Sequence, residues 1–163
     1  FYRLFIQAQF PPTIPFDEVV GIINGSMHSD YRPLIESLLP GVTEFTGTRL
    51  FVLTWIAYME HYLRQHARAI PMLVVRYADL NGKREPTLTA IFDYCGLPVD
   101  QVVQALGAFE GDSQAGTALA RAKPSEGNAL KLTDEQIGDI RAILSRHPVI
   151  NTPDFVLPGT LQL

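Results

Sequence analysis

The chain lacks much of what several protein classes need. Its 163 residues hold a single cysteine, Cys95, so no internal disulfide can form, and one free thiol fits a reducing compartment. The longest apolar stretch, residues 50–59, is broken by Thr54 and falls short of the roughly 20 residues that span a bilayer. Thirteen lysines and arginines stand against seventeen aspartates and glutamates, a net charge of −4, which argues against a basic nucleic-acid surface. No Gly-x-x-x-x-Gly-Lys-Ser/Thr phosphate loop occurs. Metal-ligand spacing is missing too: His61 and His66 are five residues apart, whereas one helix face needs three or four, and no spacing joins them to His28 or His147. Phe1 opens inside an aromatic-rich pattern without a methionine or a charged leader, so the expectation is a fragment of a longer protein.

What is present is a 47% apolar composition, enough for one domain with a core. The informative stretch is residues 70–98, reading IPMLVVRYADLNGKREPTLTAIFDYCGLP. Met72, Leu73, Val74 and Val75 form a short apolar run rich in β-branched residues, the pattern of a strand buried on both faces, and predict a central parallel strand at about 72–77. Asp79, Asn81 and Gly82 read as a loop. Pro86 suits the first turn of a helix, Leu88, Ile91, Phe92 and Cys95 recur at helical spacing, and Gly96 with Pro98 stops it. Ligands of open α/β sheets bind at the carboxyl ends of strands, which places Arg76, Tyr77 and Asp79 where a site is expected.

Other segments read as helices. Asp17 caps a pattern of Val19, Val20, Ile22 and Ile23 that runs to Gly25. Asp30 precedes a second helix with Pro33 in its first turn and Leu34, Ile35, Leu38 and Leu39 as its buried stripe. Residues 45–69 carry the longest helical pattern, with no internal proline. Residues 99–108 form another short helical segment. Thr133 with Gln136 makes a capping box for a last helix, with Ile137, Ile140, Ile143 and Leu144 inward, and residues 151–163 show no periodicity. The stretch 112–121, DSQAGTALAR, reads as an Asx or Ser/Thr turn between helices when taken on its residues alone.

Val75-Arg76-Tyr77-Ala78-Asp79-Leu80, followed by Pro86, Thr87, Leu88, Ile91, Phe92, Tyr94 and Gly96-Leu97-Pro98, resembles the sulfotransferase family, whose R-Y-E-D-L element precedes a helix ending in a similar turn. Ala78 stands where the family usually has glutamate. Trp55, Tyr62 and His66 are similar to the helix before that element, Phe1-Tyr2-Arg3 to the tail of an upstream one, and 112–121 to a D-S-Q-x-G-T/S-x-L-x-R run near the nucleotide.

The resemblance implies the helix-rich C-terminal half of a P-loop-like α/β fold, a single partial domain over 1–163. Residues 1–45 would be a helical acceptor-side lobe, 46–121 the core, and 122–163 the last helix and tail. It implies 3′-phosphoadenosine-5′-phosphosulfate (PAPS) as co-substrate, with no metal, and sulfuryl transfer to a hydroxyl or amine of a small-molecule acceptor. Tyr77 would stack on adenine beside Arg76, with Ser113, Gln114 and Thr117 near the nucleotide. The family's Arg-Lys-Gly triplet is missing, which leaves Arg121, Lys123 or Lys131 to hold the 3′-phosphate. Phe10, Phe16, Met27, His28 and Tyr31 are candidates either for the acceptor pocket or for core packing. The phosphate loop and catalytic base would both precede Phe1, so no catalytic residue is expected in this chain. A cytoplasmic setting follows, with neither membrane nor nucleic acid as partner, and with self-association or pairing with the missing N-terminal half. Two other readings stay open: a non-catalytic helical binding or scaffolding module built on the same fold, and half of a nucleotide kinase.

Overall fold

The computed structural model describes residues 13–109, 111 and 132–163. Among these, helices dominate and one two-stranded sheet is present, an α/β composition at the coarse level. The elements are β1 (Ile14–Pro15), α1 (Phe16–Met27), α2 (Arg32–Leu38), β2 (Glu44–Phe45), α3 (Gly47–Ala67), α4 (Tyr77–Gly82), α5 (Arg84–Tyr94), a 3₁₀ turn (Val99–Gln101), α6 (Val102–Gly107) and α7 (Asp134–Leu144). The chain divides into two compact units, Phe1–Ala69 with Leu130–Phe155, and Ile70–Ala129 with Val156–Leu163. The division falls inside the 46–121 segment, because α3 packs with α1 and α7.

In the first unit β1 and β2 pair antiparallel, Ile14 opposite Phe45 and Pro15 opposite Glu44, and the Phe16 N–H donates to the Thr43 carbonyl at 2.9 Å. This short ladder fixes the entries of α1 and α3. Pro15, not Asp17, occupies the N-cap of α1. Asp17 sits in the first turn, where its carboxylate complements the helix dipole and meets Arg32 at 2.6 Å. The helix passes through Gly25 to Met27 and ends on His28 in the left-handed region, φ 51°.

The longest helix is α3, as its uninterrupted period predicts; its 21 residues span about 31 Å at 1.5 Å per residue. The Thr46 hydroxyl caps it by accepting the Arg49 N–H at 3.3 Å. Its buried stripe of Leu50, Leu53, Ile56 and Ala57 meets Val19, Ile23, Ile35 and Phe45 in one core. The capping box at Thr133 and Gln136 forms as read, and the Gln136 amide also donates to the Thr48 hydroxyl at 3.1 Å. Arg49 bonds Asp139 at 2.8 and 3.0 Å, and Arg146 donates to the Leu38 carbonyl at 2.7 Å, so α7 and its exit are tied to α3 and α2. Between α3 and α7 an apolar groove of about 290 Å³ is lined by Phe51, Val52, Trp55, Ile140, Leu144 and Pro153.

In the second unit the predicted central strand is reduced to one parallel bridge, Val74 to Thr160, in which the Leu161 N–H donates to the Val74 carbonyl at 2.9 Å. Met72 to Val75 are half-buried instead of enclosed on both faces. Both sides are too short for a ladder. Helix α4 begins at Tyr77, and the tail passes through Pro158, which has no N–H, and turns at Gly159, φ 74°. Asp79, Asn81 and Gly82 belong to α4 and not to a loop, with only Lys83 between α4 and α5. Helix α5 then ends in a Schellman motif: the Leu97 N–H donates to the Phe92 carbonyl at 2.8 Å, the Gly96 N–H to the Asp93 carbonyl at 3.0 Å, and Gly96 takes φ 66°. Cys95 is exposed, since it is the cap of α5 and not part of an inward stripe.

Candidate functional site

The sequence places a site at the exit of residues 72–75. There Arg76 forms the N-cap of α4 with extended backbone, φ −76° and ψ 134°, and makes no side-chain cap. Both Arg76 and Tyr77 are exposed, Tyr77 at 79%. A tyrosine packed into a core would be hidden; this ring offers its faces to solvent. Asp79, in the first turn of α4, has a side chain only 18% exposed and lies 3.7 Å from the Lys83 ammonium, one turn on. The same ammonium donates to the Leu163 carbonyl at 2.9 Å. Asp79 thus faces the scaffold, favouring the helix dipole and pairing locally, while Arg76 and Tyr77 face outward.

The flanking threonines are consumed by the helices. The Thr87 hydroxyl is fully buried and donates to the Lys83 carbonyl at 2.6 Å, and that of Thr89 donates to the Glu85 carbonyl at 2.9 Å. The Arg84 guanidinium lies over Phe109, 5.2 Å from its ring centre. A cleft of about 480 Å³ on this unit is lined by Glu85, Pro86, Thr89, Ala90, Asp93 and Val99. Its two carboxylates would repel a phosphate, so it does not extend a nucleotide site. Ser113, Gln114, Thr117 and Arg121 lie outside the described residues, as do Lys123 and Lys131. Of the six expected nucleotide-binding residues, the structure places Arg76 and Tyr77 side by side.

In the first unit the acceptor-side candidates divide between core and surface. Met27 and Tyr31 are buried, Phe16 packs on Phe45 at 5.8 Å with Arg32 over its ring at 5.0 Å, and His28 is exposed. Phe10 lies outside the described residues.

A second constellation emerges that residue spacing did not announce. His147, with a side chain 1% exposed, brings Nε2 to 3.0 Å from Oε1 of Glu60 on α3. The contact is at ion-pair distance but is not aligned as a hydrogen bond, and Nε2 has no other partner among the described residues. The other Glu60 oxygen lies 3.5 Å from Arg64 Nε, and the Arg64 guanidinium sits 4.9 Å from the ring centre of Tyr31, whose buried hydroxyl is also unpartnered there. Burial pushes the Tyr31 hydroxyl above its ordinary pKa, opposed by Arg64 and reinforced by Glu60. The Glu60 and Arg64 spacing of four was readable on α3; the meeting with His147, 87 positions further on, was not. His61 and His66 stay on α3, His61 within 3.3 Å of Gln65 and His66 stacked on Tyr62. Among the described residues no three His, Cys, Asp or Glu side chains converge on a metal-sized site, and no helix is long and apolar enough to cross a membrane.

No family model matches the chain, and neither the curated proteins nor the solved structures give a significant match.

Proposed function

We propose that the chain forms part of a PAPS-dependent sulfotransferase, acting in the cytoplasm, with residues 70–98 as one wall of the nucleotide pocket. The enzyme would transfer a sulfuryl group from PAPS to a hydroxyl or amine of a small-molecule acceptor. The observation that carries this reading is Tyr77. It belongs to the R-Y-x-D-L element, it follows an extended segment, and the residue is 79% exposed. Base stacking on such a ring contributes about 1–3 kcal/mol. The neighbouring Arg76 guanidinium supplies a positive charge suited to a phosphate. Ser113, Gln114, Thr117 and Arg121 are assigned to the same nucleotide by the resemblance alone.

Saturation-transfer NMR with 3′-phosphoadenosine 5′-phosphate tests this directly. Adenine protons are expected to receive magnetisation from the wild-type chain and from Tyr77→Phe, and to lose it with Tyr77→Ala. Equal transfer to all three, or none from the wild type, would remove Tyr77 from a nucleotide site.

A further inference from the structure

His147 is hydrogen-bonded through one ring nitrogen, while the other faces Glu60. Nδ1 accepts the backbone N–H of Ile150 at 2.9 Å and that of Val149 at 3.2 Å. Its lone pair is therefore occupied, and the single proton of the neutral ring belongs on Nε2, facing Glu60. A second proton can bind only at Nδ1, where it would point at two N–H groups. Binding it requires the Val149 and Ile150 amides to withdraw. Ile150 is fully buried in the core with Ile143 and Leu144, so the withdrawal takes a core side chain with it.

We propose that His147 is a pH latch on the first unit: the neutral ring clasps the turn at Val149 and Ile150, and protonation of Nδ1 releases that turn from the core. Among the described residues the charged and titratable groups around it are few. Glu60 on α3 faces Nε2 and is itself paired with Arg64; Tyr31, ahead of α2, lies under the Arg64 guanidinium; Arg146, on the latch's own segment, is committed to the Leu38 carbonyl. Glu60 favours the imidazolium, but burial outweighs it and holds the His147 pKa below the ordinary imidazole value. The sign follows. The unfolded or opened chain takes up the proton near pH 6.5, while the closed state resists it to lower pH. The latch's stability is complete above about pH 6.5 and is lost as pH falls from there toward the lowered folded value.

Amide hydrogen exchange at Val149 and Ile150, corrected for the intrinsic pH dependence of exchange, measures the latch. In the wild-type chain protection is expected to fall by about tenfold per pH unit below about pH 6.5, the signature of one proton taken up on opening. His147→Asn places an amide oxygen where Nδ1 was and removes the titration, so its protection should be flat with pH. Glu60→Gln removes the charge that favours the imidazolium, so the His147 ring titration, followed by NMR, should move to lower pH. A His147→Asn chain that loses protection in parallel with the wild type would overturn the latch. If that variant does not fold, flat wild-type protection, or a Glu60→Gln titration that stays put or moves up, overturns it as well.

Discussion

At Arg49 two parallel N–H groups meet the two oxygens of Asp139, at 2.8 and 3.0 Å, with both side chains about one-third exposed or less. Bidentate geometry makes this pair more than an ordinary surface contact, and hydrogen bonding to Asp139 raises the Arg49 pKa further. Asp139→Asn should cost about 1–2 kcal/mol, read as a lower urea midpoint with unchanged slope, whereas neutralising the exposed Asp17 should cost less. A double-mutant cycle with Arg49→Gln would show coupling of the same sign; no coupling would reduce the pair to proximity. Neither partner could be picked from the sequence, since 90 residues separate them and each alone is an ordinary surface charge.

Elements whose causes are local were legible. The uninterrupted period of α3, the Thr133 and Gln136 box, and the stop at Gly96-Leu97-Pro98 each depend on a few adjacent residues, and each forms as read. The readings that failed needed information from elsewhere in the chain. An apolar run such as Met72 to Val75 looks the same whether a full sheet or a single bridge awaits it. Asn81 and Gly82 mark the end of a helix as well as they mark a loop. For the candidate site, the adjacent Arg76 and Tyr77 were found from a local motif, while the convergence of Glu60, Arg64, Tyr31 and His147 is a product of tertiary packing. Gly96 provides a test at this scale. Its φ of 66° favours glycine, and a Cβ there would meet nothing within 4 Å, so Gly96→Ala should cost about 1 kcal/mol through backbone conformation alone. Thermal melting of that variant, beside Gly107→Ala as a helical control expected to be neutral or stabilising, separates conformational cost from packing.

Across the molecule the core is unevenly shared. The contiguous buried cluster is drawn wholly from the first unit, while the described part of the second buries Thr87, Leu88, Val102 and Thr160 and leaves Val99 and Val103 largely exposed. Local stability follows buried apolar contact, so native-state hydrogen exchange should rank α3 far slower than α4, α5 and α6. Uniform protection across the units would show them to unfold as one.

Trp55 is the sole tryptophan, and it stands in the groove between α3 and α7. Selectively excited emission is thus an optical reporter on the packing of α3 against α7. A fluorescence melt follows the parting of α3 and α7, whereas far-ultraviolet circular dichroism sums every helix. A dye or quencher that enters the groove would alter the emission directly, so tryptophan intensity reads the occupancy of the groove as well as the packing of its walls.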